Sequence, residues 1–201
     1  MINKYIPFGL ILSLVLFLTS CASISPFSPP PPASTSWSLR EKTLAELQHW
    51  DISGKIAVRT ATDSGSATIK WQERHPHYTI WLYGPVGTPA AILHGQPGKT
   101  MLETATGQRF SAATPDQLLR QRTGWNVPIS NLFYWIRGLP VPNIPYQAAF
   151  DRYHRLAKLT QQGWEIQFLH YANFPHIELP DLITLNNENA RVKLFIHRWG
   201  L

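Results

Sequence analysis

Apolar and polar residues alternate with a period of two through much of the chain after residue 51, as expected for half-buried β-strands. The clearest apolar sets are Ile52, Ile56 and Val58; Ala67, Ile69 and Trp71; Tyr78, Ile80 and Leu82; Trp164, Ile166 and Phe168; and Val192, Leu194 and Ile196. Turn residues such as Asp63-Ser64-Gly65 and Gln96-Pro97-Gly98 separate the segments. Including shorter segments, the pattern predicts a mainly β domain of about 11 strands, an antiparallel sheet curled into a barrel.

Three segments have helical signals instead. Ser38 has the spacing of a capping residue, and one apolar helix face would run from Leu44 to Trp50. A second, short helix should begin after Thr114, whose hydroxyl can cap it. The third, over residues 130–137, has almost no polar face, so it must lie against apolar surface on several sides or against a ligand.

The amino terminus has the layout of an export signal. Lys4 precedes an apolar run, residues 9–18, that is shorter than the ~20 residues a bilayer span needs. The run leads into Leu18-Thr19-Ser20-Cys21, which resembles the lipobox of bacterial lipoproteins. We therefore expect a signal peptide over residues 1–20 and, as that resemblance implies, covalent N-acyl and S-diacylglycerol groups on Cys21, with no other cofactor. The alternative is an ordinary signal peptide or membrane anchor with an incidental cysteine.

Residues 21–35 follow as a proline-rich segment. Four consecutive prolines, Pro29 to Pro32, favour an extended polyproline conformation over helix or sheet. We predict that this segment tethers a single domain, residues 36–201, to a membrane. Ala22 stands directly after the cysteine, and the likeness to Gram-negative lipoproteins implies sorting to the periplasmic face of the outer membrane.

The chain is rich in aromatic residues and has few charged ones. The chain has 8 Trp, 7 Tyr and 9 Phe residues, while charged residues make up 15%. The formal net charge is +6, and the cations are scattered along the sequence. This excess either attracts anionic lipid or an acidic partner, or it is a solubility feature. Cys21 is the only cysteine, which excludes an internal disulfide and a cysteine-built zinc site.

No segment has the spacing of a catalytic motif. Gly98-Lys99-Thr100 lacks the upstream glycine of a phosphate-binding loop, and a strand rather than a helix should follow it. His75 and His77 flank a proline, which predicts a turn rather than a metal site. The chain has no Gly-x-Ser-x-Gly elbow and no close carboxylate pair. We therefore predict that it is not an enzyme and that it binds no metal. We also expect no nucleic-acid binding, because an exported protein meets no usual nucleic-acid target.

Two segments carry apolar surface that ordinary packing explains less well. One is the helical segment 132–136. The other is a stiff turn between two predicted strands, Pro85, Val86 and Gly87, where a plain hairpin would carry Asn, Asp or Ser. Val86 would place an aliphatic side chain near the tip of this turn. The alternative is a loop that folds back onto the core.

The order and spacing of several motifs resemble the LolB family. They are Gly54, Trp71, Pro85-Val86-Gly87, Gln96-Pro97-Gly98, Gly107-Gln108-Arg109 and, most specifically, Leu132-Phe133-Tyr134-Trp135-Ile136-Arg137-Gly138-Leu139-Pro140 with the run from Trp125 to Pro128 before it. The similarity extends from the helix before Trp50 through Trp199.

This resemblance implies an incomplete, strongly curved antiparallel barrel with short helices covering an apolar cavity. It implies an outer-membrane receptor that accepts lipoproteins from the periplasmic carrier LolA by their acyl chains and delivers them into the outer membrane. The family's loop corresponding to Pro85, Val86 and Gly87 exposes an aliphatic residue that helps delivery, where we would expect leucine. The inward positions predicted to line the cavity are Ile69, Trp71, Ile80 and Leu82 from the strands and Leu118, Phe133 and Ile136 from the helices.

Three other functions compete with a monomeric receptor. A soluble acyl carrier of the LolA type would share the fold, but a lipid on Cys21 would prevent it from leaving the membrane. A structural or assembly lipoprotein of the envelope would have a barrel whose core is filled. An envelope hydrolase would need a site assembled from residues distant in sequence.

Overall fold

The computed structural model describes residues 36–84, 87–123 and 126–201. Those ranges contain eleven strands and three helices, which confirms the predicted mainly β class. They belong to a compact unit that extends from Pro31 to Leu201. None of the helices within the described ranges has the length and apolar character needed to cross a bilayer.

The elements follow one another along the chain as three helices interspersed among strands. They are α1 Trp37–Glu46, β1 His49–Thr60, β2 Ser64–Arg74, β3 His77–Tyr83, β4 Pro89–Gln96, β5 Lys99–Thr104, β6 Arg109–Ala112, α2 Pro115–Thr123, α3 Ile129–Trp135, β7 Tyr146–Phe150, β8 Leu156–Gln161, β9 Trp164–Phe174, β10 Ile177–Asn186 and β11 Ala190–Gly200.

All eleven strands form one antiparallel sheet with the order β6-β5-β4-β3-β2-β1-β11-β10-β9-β8-β7. Successive hairpins extend from the centre in both directions, and β1 pairs with β11 to join the two halves. The outermost strands, β6 and β7, do not pair with each other, so the sheet is not closed into a barrel. This open sheet confirms the incomplete barrel that the resemblance implied.

The central pair contains a close backbone approach. A side chain at Gly54 would place its Cβ 2.2 Å from the carbonyl oxygen of Phe195, so only glycine fits there. The register between β1 and β11 shifts next to this position, between Ser53 and Gly54. Such a bulge bends the strand locally and re-aims the side chains that follow.

One face of the sheet carries the core, and the three helices pack on that face. The inward residues Ile69, Ile80 and Ile183 share one buried cluster with Leu44 of α1 and Leu132 of α3. The alternation read from the sequence therefore assigned the strand faces correctly. We call the opposite, solvent-facing side the outer face.

Two details of the helix predictions are wrong, and one is confirmed. Helix α1 begins at Trp37 and ends at Glu46, so Ser38 lies inside it and Trp50 belongs to β1. Trp50 is buried because it belongs to the sheet. Its helix-like spacing from Leu44 therefore does not mean that α1 continues to this residue. At α2, the Gln117 amide donates to the Thr114 hydroxyl at 3.2 Å, as a helix cap should.

The turns predicted at Gln96-Pro97-Gly98 and around Pro76 are confirmed, whereas Ser64 and Gly65 of the turn predicted at Asp63-Ser64-Gly65 begin β2. Gly98 adopts φ +75° between β4 and β5, which excludes a phosphate-binding loop leading into a helix. His75 and Pro76 connect β2 to β3. Among the described residues, no group of three or more His, Cys, Asp or Glu side chains could hold a metal ion.

Candidate functional site

A partly open cavity of about 510 Å³ lies between the sheet and the helices. Its walls come from the end of α1, the turns β2–β3 and β4–β5, the start of α2 and one side of α3. The principal apolar lining residues are Leu47, Trp50, Pro76, Tyr78, Pro97 and Phe133. A volume of this size lies within the range of ordinary small-molecule pockets.

Phe133 of α3 joins the cavity to an aromatic cluster on the sheet. Its ring meets Trp71 edge-on at 4.7 Å and Tyr78 edge-on at 4.8 Å between ring centroids. Trp50 extends the cluster, at 5.3 Å from Trp71 and 5.6 Å from Trp199. Edge-to-face pairs at such distances are favourable and fix the ring positions. The inner wall of the cavity is therefore apolar, and its aromatic rings are held in place.

Arg137, which follows the C-cap residue of α3, connects two walls of the cavity. Its Nη1 donates to the carbonyl oxygens of Leu44 at 3.2 Å and Leu47 at 2.8 Å, and its Nε donates to that of Phe133 at 2.9 Å. The first two acceptors belong to the carboxyl end of α1, where cations and donors are favoured. Burial lowers the pKa of Arg137, and a cation at this position holds α1 and α3 together.

A second buried arginine fixes α1 to the distant half of the sheet. Arg40 forms an ion pair with Glu178 of β10 at 3.3 Å, and Arg155 contacts the other oxygen of the same carboxylate at 2.8 Å. Both partners of the Arg40–Glu178 pair have side chains only 8% exposed. Removing one partner of such a pair leaves an uncompensated buried charge, so this contact holds α1 in one place.

Glu73 is the one acidic side chain at the cavity wall among the described residues. It lies two residues after Trp71 on β2, and both side chains are buried. Burial raises the pKa of Glu73 to about 7, although the positive charge of Arg137 opposes this effect. The nearby side-chain N–H of Trp71 also lowers the pKa of Glu73. The two groups do not have the geometry of a hydrogen bond, so Trp71 Nε1 and Glu73 Oε2 lack a hydrogen-bond partner among the described residues.

Comparison with known proteins identifies the family. Residues 48–199 match the family described as outer membrane lipoprotein LolB. An outer-membrane lipoprotein LolB from Pseudomonas savastanoi pv. phaseolicola is 36% identical over 192 residues, which is 94% of each chain. The chain belongs to the LolB family. A LolB protein from Pseudomonas fluorescens, 40% identical over 163 residues, covers 81% of this chain and 80% of its own.

Solved structures agree at the level of the fold. A LolA superfamily protein from Nitrosomonas europaea has a TM-score of 0.55 at 11% identity and covers 84% of this chain and 94% of its own. A DUF1329 family protein from Desulfovibrio piger has a TM-score of 0.56 at 8% identity and covers 81% of this chain and 89% of its own. The overall fold of this LolB-family chain is thus similar to the folds of these two proteins.

Gln161, a residue that the sequence did not single out, anchors α3 in this LolB-family fold. Its side chain is 1% exposed. Its Oε1 accepts from Trp135 Nε1 at 3.0 Å and from the Val141 amide at 2.8 Å. Its Nε2 donates to the carbonyl oxygens of Val141 at 2.9 Å and Ile144 at 3.1 Å. One amide group therefore satisfies four polar groups of α3 and of the loop after it that would otherwise lack a partner.

The predicted cavity residues of the LolB-family chain divide into two groups. Phe133 lines the cavity directly. The other six, Ile69, Trp71, Ile80, Leu82, Leu118 and Ile136, lie in or against the core cluster behind it rather than on the cavity wall. Only Leu82 among these six is less than fully buried. Their contact with an acyl chain stays a prediction, since it requires the helices to separate from the sheet.

Among the lining residues that the sequence analysis did not assign to the cavity are Glu73, Arg137, Tyr78 and Trp50. Glu73 had a signal, because it occupies the inward position after Trp71 in the period-two pattern. A carboxylate at such a position is rarely fully buried, so it marks a polar feature of the interior.

The predicted delivery loop connects β3 and β4. Pro85 and Val86 lie outside the described residues, as does Cys21. On either side of them, the Gly87 amide donates to the Gly84 carbonyl at 3.0 Å, and the Gly84 amide donates to the Thr88 carbonyl at 3.1 Å. Gly87 has φ +78°, a conformation that glycine tolerates best. The loop lies at the strand ends opposite to the β2–β3 and β4–β5 turns that border the cavity.

Proposed function

We propose that this LolB-family protein is an outer-membrane receptor that shelters the acyl chains of lipoproteins and passes them into the membrane. The observation that supports it best is the apolar cavity beneath α3, in a chain of the LolB family. Exposing acyl methylenes to water costs about 0.8 kcal/mol each, so a lipid-modified protein needs such shelter to leave a bilayer. The process requires no bond to be broken, so the proposal needs no catalytic group.

The finer steps belong to the same proposal. Cargo would arrive from a LolA-type carrier, and lipid groups on Cys21 would keep the receptor at the membrane. Transfer would then proceed from weaker to stronger acyl-binding sites and finally to the bilayer. A scaffold with a filled interior is not favoured, because a cavity of about 510 Å³ borders the helices.

The predicted delivery loop provides a test that separates acceptance from delivery. We expect Val86→Glu to accept lipoprotein from a carrier complex at the normal rate but to deliver it to liposomes about tenfold more slowly. The reason is that burying an aliphatic side chain is worth ~1.5–3 kcal/mol, whereas a carboxylate resists entering the bilayer. Both steps can be followed with one labelled lipoprotein.

Val86→Leu is the matched control, and it should deliver at least as fast as the natural chain. Normal delivery by Val86→Glu would show that the loop has no part in the transfer. A natural chain that accepts no lipoprotein from the carrier would contradict the receptor function itself.

A further inference from the structure

The fold gathers cations that are far apart in the sequence onto the outer face of the central strands. In the register of the sheet, Arg59 stands opposite Arg191, and Ala57 stands opposite Lys193. Ser53 is flanked by Lys70 on β2 and by Arg198 on β11. With Lys55, these cations form what we call the basic face: Lys55, Arg59, Lys70, Arg191, Lys193 and Arg198. All six side chains are exposed.

Three carboxylates on the same side of the sheet are engaged in ion pairs with other cations. Asp51 pairs with Arg74 at 2.9 Å, Glu165 with Lys158 at 2.6 Å and Glu103 with Arg109 at 3.0 Å. Within the described residues, no member of the basic face forms an ion pair. The positive charge of this face is therefore uncompensated, and like charges directly opposite each other, as in Arg59 and Arg191, oppose folding.

Aromatic rings are interleaved with these cations. Trp81 stands directly opposite Lys70, whose Nζ lies 5.4 Å from the centre of the Tyr83 ring. Phe195, 44% exposed, stands opposite Lys55. Aromatic rings and long basic side chains together are typical of surfaces at the boundary between lipid headgroups and acyl chains.

We infer that the basic face docks this protein onto a bilayer surface that contains anionic phospholipid. Strands are about 4.8 Å apart and rise about 3.4 Å per residue, so the face is an extended surface rather than a pocket for one small anion. β3 ends at Tyr83, and Gly84 then directly precedes the predicted delivery loop in the sequence. Docking would thus bring that loop to the same bilayer. The inference rests on the membrane location in the proposed function.

The test measures vesicle binding by the unlipidated chain from Pro31 to Leu201, the compact unit that contains every described strand and helix. Vesicles of phosphatidylethanolamine with and without phosphatidylglycerol are the probe. We expect binding only to the anionic vesicles, weaker at high salt. The triple variant Lys55→Ser, Arg59→Ser, Lys193→Ser should bind roughly 100-fold more weakly, because each cation near an anionic surface contributes to the affinity.

The matched control removes the same charge from exposed positions off the face. It combines Lys42→Ser, Arg120→Ser and Arg152→Ser, which lie on α1, on α2 and between β7 and β8. Equal losses in the two triple variants would show a general charge effect and overturn the inference, as would no binding by the natural chain. Loss of carrier binding without loss of vesicle binding in the face variant would assign the face to an acidic protein instead.

Cargo acceptance is measured on the same proteins. If the natural chain accepts lipoprotein but ignores anionic vesicles, the docking face is wrong and the receptor function stands. If it binds the vesicles through this face but accepts no lipoprotein, the receptor function fails and the docking surface stands.

Discussion

Gln161→Leu is expected to lower the free energy of unfolding by about 4 kcal/mol, because buried groups left without a partner cost roughly 1–3 kcal/mol each. Leucine has nearly the volume of glutamine but neither donates nor accepts. It would leave Trp135 Nε1, the Val141 amide and two carbonyl groups unpaired. Urea denaturation gives the change directly. We also expect increased hydrogen exchange in α3, since the anchor of that helix is lost.

The matched control is Gln147→Leu on the edge strand β7. Gln147 is exposed, so its replacement should change stability by less than about 0.5 kcal/mol. An effect of that small size for Gln161→Leu would mean that the four hydrogen bonds contribute little to holding α3.

Glu73→Gln is expected to stabilise the protein by about 3 kcal/mol at pH 8 and to change little at pH 4. The pKa of Glu73 is raised from 4.5 to about 7 in the folded chain, and each pKa unit corresponds to about 1.4 kcal/mol. A raised carboxyl pKa gives stability that is fully present below pH 4.5 and is lost as the pH rises through 7. Glutamine has no charge to bury, so the variant should lack this loss.

Unfolding experiments between pH 4 and pH 8 provide the comparison, with Glu188→Gln on the exposed β10–β11 turn as the control. The control should follow the pH dependence of the natural chain. A Glu73→Gln variant that is less stable than the natural chain at pH 8 would show that the carboxylate is stabilised by Arg137 rather than strained by burial.

The sequence predicted the strands that have one buried face and one exposed face. β1, β2 and β9 alternate buried and exposed positions almost throughout, so periodicity located them. β7 is largely exposed on both sides and has no alternation to detect. In β10 the register shifts between Pro180 and Leu182, where proline cannot donate a ladder hydrogen bond. Periodicity therefore gives little signal for β7 and for β10.

Strand order and the site depend on long-range pairing. The pairing of β1 with β11 joins residues as distant in sequence as Asp51 and Gly200, and nothing local specifies it. The same pairing converts cations that look scattered in the sequence into one basic face. Likewise, the cavity wall combines Leu47, Glu73 and Arg137, whose meeting depends on the packing of α1 and α3.

The two sides of the sheet thus serve different parts of the proposed function. The inner side, covered by α1, α2 and α3, offers apolar surface and a cavity to acyl chains. The outer side offers uncompensated positive charge and aromatic rings to a bilayer. A single layer of strands separates them, so cargo binding and membrane docking can be altered independently by substitution.

Photo-crosslinking to the acyl chain of a bound lipoprotein tests the central claim most directly. A benzophenone side chain replaces either Phe133, at the cavity wall, or Leu169, which is 52% exposed on β9, and the lipoprotein carries a labelled acyl chain. Our account predicts that label is captured at position 133 and not at position 169. Capture at both positions alike, or none at position 133 while the lipoprotein is still transferred, would contradict it.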